Sequence, residues 1–236
     1  MKRFYTNVSI GIPKRGLYSV LLDGKPVKTP AHAELAMPWR ELAEAIAEEW
    51  RGQGEEIKPA EMFMTKCANT AIDETTGHEA AVADGILAYA NDLLCYRAQA
   101  PADLVARQSE AWDPLLDWLE QRTGVKLLTG AGIAPIRQEE VALDRLRAAI
   151  APLNPFTLTA LAGAVALLGS LVLGLALLKG RLSAAEAFAA AFVDEEYQME
   201  KWGRNTWTEQ RARALEAELD AAARFMRLSG GERGAP

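Results

Sequence analysis

AAIAPLNPFTLTALAGAVALLGSLVLGLALL, Ala148 to Leu178, runs 31 residues without a charged side chain, in a chain where 25% of residues are charged. Its heart, Phe156 to Leu178, has Thr157, Thr159 and Ser170 as its only polar side chains. About 20 consecutive apolar residues can span a bilayer. The reading of this run therefore decides between a membrane protein and a bundle around a buried helix. Its composition favours the bundle. Gly163, Gly169 and Gly174 dilute its hydrophobicity, Pro152, Asn154 and Pro155 precede its heart, and only Lys179 and Arg181 follow closely. No Trp or Tyr lies near either end, where a membrane span often carries an aromatic belt. Ala162, Ala166, Ser170 and Gly174 recur at spacing four, a small-residue ridge if the run is one helix. Such a ridge lets a neighbouring backbone approach closely, which suits an enclosed helix and a membrane helix dimer alike. The expectation is one central buried helix in a soluble protein without stable membrane insertion; the alternative is an anchor using residues 156–178.

The rest of the composition agrees with a globular chain. At 236 residues, half of them hydrophobic, it is long enough to bury an ample core. A net charge of −6 and a pI near 5.2 argue against nucleic acid as the partner, because phosphate binding needs a concentrated basic surface. Cys67 and Cys95 sit in apolar neighbourhoods and read as free, buried thiols in a reducing compartment. Met1-Lys2-Arg3-Phe4-Tyr5 lacks the apolar core of an export signal, so the expected location is the cytoplasm.

Outward from the apolar run, the first third reads as mixed strand and helix. Leu17 to Leu22 is a strand candidate, and Asp23-Gly24 before Lys25 is the turn chemistry of a hairpin. A helix is predicted from Pro38, with Trp39, Leu42, Ile46 and Trp50 as its stripe and Gly52 as its stop. Residues 53 to 66 look irregular and mark the candidate domain boundary. Everything afterwards reads helical. Val82, Ile86, Tyr89 and Leu93 form one stripe; Asp113-Pro114 predicts a helix start and Gly124 its end; residues 137 to 150 are amphipathic. Ser183-Ala-Ala-Glu186 is a capping box, and Thr206-Trp-Thr-Glu209 opens the last helix, with Leu215, Leu219, Ala222 and Met226 along it. At least five helices could then cover the apolar run.

A search for catalysis finds little. His32 and His78 lie beside turn-like sequence and read as solvated surface residues. Asp73, Glu74, His78 and Glu79 match no metal-ligand signature. Gly130-Ala-Gly132 has no strong strand before it and Pro135 after it, so it does not read as a phosphate loop. The expectation is a protein that is not an enzyme and holds neither metal nor cofactor, with an uncharacterised enzyme as the alternative.

One segment stands apart. Asp194-Glu195-Glu196-Tyr197-Gln198-Met199-Glu200 places four carboxylates in seven residues, just before Lys201-Trp202-Gly203. On a helix Glu196 and Glu200 align, while Asp194 and Glu195 point elsewhere, so at least one acid must turn toward the bundle or a partner. The bland reading is a solvated helix end with Trp202 packed beneath it. The functional one is an acidic, aromatic-edged docking patch. Trp50, at the end of an acidic helix (Glu41, Glu44, Glu48, Glu49), reads either as core or as an interface anchor.

Read in order, a series of motifs resembles one family. They are Leu22-Asp-Gly-Lys-Pro-Val-Lys-Thr-Pro30, Glu49-Trp50 with Gln53, Ala68-Asn-Thr-Ala-Ile-Asp73 and Asp92-Leu-Leu-Cys-Tyr-Arg97. Gln108, Trp112-Asp-Pro-Leu-Leu116, Gly169-Ser170, and Asp194-Glu195 with Gln198 and Trp202-Gly203 follow. Together, from about Phe4 to Leu228, they resemble the assembly chaperone of the ATP synthase catalytic head that acts on its α subunit. This is the family named after the twelfth yeast ATP-synthase assembly gene. The resemblance implies an α+β fold: a small N-terminal α+β domain (1–62), a larger orthogonal helix bundle (63–230) and a flexible tail (231–236). It implies a monomer without cofactor that binds the unassembled α subunit, prevents its aggregation and releases it when β subunits arrive. It points to Trp50 and to an essential acid in 194–196, taken as Glu195 first and Glu196 second, with Asp194, Gln198 and Trp202 beside them. Mitochondrial members carry a transit peptide; this chain shows none, which implies a bacterial relative in the cytoplasm, or else a processed matrix form.

Overall fold

The computed structural model describes residues 1–132, 134–203 and 206–230, and for 206–209 the backbone alone. Leu17–Leu22 (β2) is the centre of a small sheet. It pairs antiparallel with Val8–Lys14 (β1), with Lys25–Pro26 (β3) and with Ala36–Met37 (β4). The expected hairpin turn is present: Leu22 faces Lys25, and Asp23 and Gly24 both take positive φ (48° and 79°). β1 lies outside the strands expected from the sequence. Its register shifts between Gly11 and Lys14, around Pro13, whose missing N–H suits a bulge at a sheet edge.

Arg40–Arg51 (α1) starts two residues beyond Pro38 and buries Leu42 and Ile46, with three alanines, against the sheet. Near its end Glu49 accepts hydrogen bonds from the Met64 N–H (2.6 Å) and from the Thr65 N–H and hydroxyl (2.8 Å each). It thereby caps Phe63–Thr70 (α2), which begins inside the stretch expected to be irregular. Burial raises the Glu49 pKa, and these donors oppose the rise. Ala71–Thr75 continues α2 as one wide turn, and Glu79–Leu87 (α3) follows. The predicted stripe beyond Ile86 is interrupted, because short 3-10 turns at Ala88–Ala90 and Leu93–Cys95 bracket Asp92.

The apolar run is two helices, not one. Pro155–Leu168 (α6) ends at Gly169 in the left-handed region (φ 63°), and Leu171–Leu178 (α7) restarts from Ser170. The predicted ridge is therefore broken at its third member. Its fourth member, Gly174, faces the neighbouring helix, and an added Cβ there would collide with Val165. Every residue of α7 is buried, each Leu or Val contributing about 1.5–3 kcal/mol from leaving water. Burial also strips water from the free N–H groups of its first turn. The Ser170 hydroxyl accepts from the Leu173 N–H (3.0 Å) and the Asp92 carboxylate from the Val172 N–H (2.8 Å). Among the described residues no helix is long and apolar enough to cross a membrane.

Ala102–Thr123 (α4) corrects the helix start expected at Asp113-Pro114. It begins eleven residues earlier and carries Pro114 in its interior. Pro114 is exposed, so the backbone carbonyl it leaves unpaired can meet water, while Trp112, Leu115 and Leu119 bury on the other face. The stop at Gly124 is as expected (φ 70°). Tyr96–Arg97 (β5) pairs parallel with Gly130–Ala131 (β6), so Gly130-Ala131 is strand rather than loop. Glu140–Ile150 (α5), Ala184–Ala191 (α8), Val193–Trp202 (α9) and Thr206–Leu228 (α10) complete the helical part. The Ser183/Glu186 capping box is formed; the capping side chains proposed at 206–209 lie outside the described residues. Buried apolar side chains form one cluster from Tyr5 to Met226. Cys67 and Cys95 are buried and unbridged, and burial pushes both thiols up, Cys95 to about 12.

Candidate functional site

The acidic stretch forms α9, which packs on α4. Its helical phase sorts the acids. Asp194 turns inward: its carboxylate accepts from the side-chain amide of Gln108 (2.7 Å), whose own oxygen accepts from the Ala98 N–H (2.8 Å). Gln108 is 1% exposed, so this bond satisfies a buried amide and pins the first turn of α9 to α4. One turn on, the buried Tyr197 phenol donates to both oxygens of Asp103 (2.9 and 3.0 Å), and Lys201 reaches the same carboxylate (3.3 Å). The Tyr197 bond, more than Lys201, holds the Asp103 pKa below its ordinary value. Arg107 and Lys201 each lie over the Tyr197 ring (5.3 and 5.1 Å), and Arg107 also pairs with Glu200 (2.6 Å).

What remains faces out. Glu195, Gln198 and Trp202 are exposed, and at spacings of three and four they form one stripe. Trp202 is 80% exposed, so it is not packed beneath the helix end. Glu196 is half-buried and lines a shallow cleft with Arg107, Glu110 and Val193. Five of the six expected site residues thus share one short helix, with Asp194 as its anchor.

Trp50 is not on that surface. It packs edge-to-face on Tyr5 (5.7 Å), whose phenol donates to the Trp50 carbonyl (2.6 Å), beside the N-terminal sheet. The candidate ligand group is likewise dispersed. Asp73 accepts from the Thr29 hydroxyl (2.6 Å) and the Ala31 N–H (2.9 Å), while Glu79 accepts from the Gly77 N–H (3.0 Å). His32 and His78 are exposed. Among the described residues no three His, Cys, Asp or Glu converge to hold a metal ion.

Polar anchors dominate the motifs of the sequence. Asp92 caps α7, Glu49 caps α2, Gln108 holds Asp194, and the Trp112 indole donates to the Ala190 carbonyl (2.7 Å). The role of Gln108 was not expected. Its signal is a single amide in the apolar stripe Leu104, Trp112, Leu115, Leu119.

Comparison with known proteins places this arrangement. The family model described as "ATP12 chaperone protein" matches residues 2–120. The crystal structure of Atp12 from Paracoccus denitrificans is 43% identical, with 97% of this chain and 98% of that one covered and a TM-score of 0.90. The chain belongs to the ATP12 chaperone family. A single-substitution variant of P. denitrificans Atp12p is equally similar to this ATP12-family chain, at 42% identity, 97% coverage of both chains and a TM-score of 0.90. The mitochondrial atp12 protein of Schizosaccharomyces pombe is 27% identical over 215 residues, 86% of this chain and 74% of its own length. The small N-terminal sheet and larger helical part are thus the fold of ATP12 chaperones.

Proposed function

We propose that this chain is a chaperone of ATP synthase assembly. It holds the unassembled α subunit of the catalytic head, prevents its aggregation and yields it to β subunits. The observation that carries the reading is the outward stripe of α9, Glu195, Gln198 and Trp202, with Trp202 80% exposed. A tryptophan left in water beside a carboxylate is the composition of an interface anchor. Family membership supports the chaperone role. An unassembled subunit exposes apolar interface that aggregates, and a holder needs a rigid complementary surface rather than a nucleophile. The bonds from Gln108 to Asp194 and from Tyr197 to Asp103 supply that rigidity. The similarity to a bacterial Atp12 (43%) exceeds that to the fission-yeast mitochondrial protein (27%), which supports a bacterial, cytoplasmic protein. The protein acts as a monomer in this reading.

The test is suppression of α-subunit aggregation, followed by light scattering at fixed chaperone ratios. Glu195→Lys and Trp202→Ala, each folded by circular dichroism, are expected to lose most of the protection. Wild-type protection by both variants overturns the docking assignment. Protection of an unrelated aggregating protein as strong as that of α overturns the assigned client.

A further inference from the structure

A second surface, lined by no residue of α9, has the chemistry of a peptide site. Beside the N-terminal sheet lies a cavity of about 420 Å³, within the range of ligand-binding clefts. Buried Tyr5, Leu22 and Val27 line it together with half-buried Trp50. Phe4, which also lines it, is 64% exposed. A phenyl ring left in water at the mouth of an apolar concavity marks a place that another apolar group fills.

Charge says what that group belongs to. Residues 1–30 hold six cations (Lys2, Arg3, Lys14, Arg15, Lys25 and Lys28) and one acid, Asp23, in a chain of net charge −6. Asp23 also lines the cavity and keeps its charge, its carboxylate accepting from the backbone N–H groups of Thr6 and Asn7 (2.8–3.2 Å), so it offsets one of the two lysines there. Lys25 and Lys28 line the cavity and are exposed, and neither is in an ion pair among the described residues. Two lysines against one acid leave a positive excess beside an apolar hollow, on an otherwise acidic protein, and this favours an acidic ligand with an apolar side chain.

We infer that this cavity binds an acidic polypeptide segment. Its bulky apolar side chain enters between Phe4, Val27 and Trp50, and its carboxylates meet Lys25 and Lys28. The site is independent of the α9 stripe, so a client held there is gripped at two separated points.

The experiment uses the full chain and a fluorescein-labelled acetylated peptide, DEELFDEE, read by fluorescence anisotropy. DEEAADEE and KKKLFKKK serve as controls. Binding is expected to be saturable, and about tenfold weaker for either control. The exposed double variant Lys25→Glu/Lys28→Glu should weaken DEELFDEE by at least about tenfold and strengthen KKKLFKKK. Trp202→Ala should leave both unchanged, which separates this site from the α9 surface. Equal binding of the acidic and basic peptides, an unaffected double variant, or no binding at millimolar peptide overturns the inference. A dimer in sedimentation that the double variant abolishes also overturns it, since the occupant would then be a second copy of this chain.

Discussion

The Asp194 carboxylate and the Gln108 side-chain amide meet at 2.7 Å across 86 residues of sequence, and the amide is buried. This bond fixes the phase of α9, and so decides which acids reach the surface. Replacing Asp194 with Ala strands the Gln108 amide and should cost about 1–3 kcal/mol in urea unfolding. Gln108→Leu should cost a similar amount, and the double variant less than the sum of the two. Strict additivity would show that the two side chains do not support one another.

Asp92 gives a prediction in pH. It is fully buried, and although several donors favour its anion, desolvation pushes its pKa from 3.8 to about 6. The folded value lies above the unfolded one, so between these pH values the folded chain binds more protons. The stability Asp92 contributes is therefore complete below about pH 4 and is lost as pH rises through about 6. Two units correspond to at most about 3 kcal/mol. Wild type minus Asp92→Asn, measured by urea unfolding, should shrink by up to that amount from pH 4 to pH 7. A gap constant with pH would place the Asp92 pKa at its ordinary value.

Trp202 and Glu195 should behave oppositely to these anchors. Both side chains are exposed, so Trp202→Ala and Glu195→Lys are expected to shift unfolding free energy by no more than about 0.5 kcal/mol. Their loss would appear in client protection alone. A Trp202→Ala variant destabilised by more than about 1 kcal/mol would mean that the indole packs on the bundle in solution.

These contrasts show which features were legible in the sequence. Asp23-Gly24, Ser183/Glu186 and Gly124 act through backbone chemistry within a few residues, and each was readable as a turn, a cap or a stop. Gly169-Ser170 was not. Its break depends on Asp92, which waits 80 residues upstream to cap the new helix, and without that partner the apolar run reads as continuous. Pro114 misled for a related reason: a proline inside a helix is tolerated where its face is wet, and wetness is a tertiary property. The acidic stretch was recognisable, and so was the need for one acid to turn inward. That Asp194 is the inward one follows from Gln108, not from spacing.

Two glycines on the α6–α7 hairpin offer an internal control. At Gly174 an added Cβ collides with Val165 and approaches Leu161 at 3.3 Å, whereas at Gly163, exposed on α6, it meets nothing within 4 Å. Both glycines lie inside helices, so Ala relieves the same backbone cost of roughly 1 kcal/mol at each. Only the space differs. Gly163→Ala should therefore raise stability by about 0.5–1 kcal/mol. Gly174→Ala should lower it, as overpacking of about 1–3 kcal/mol outweighs the propensity gain. Adding Val165→Ala to Gly174→Ala should recover part of the loss, because it removes the methyl groups in the way. Equal gains from both alanines would mean that α6 and α7 are not held in close contact. The small residue at position 174 would then have no packing role.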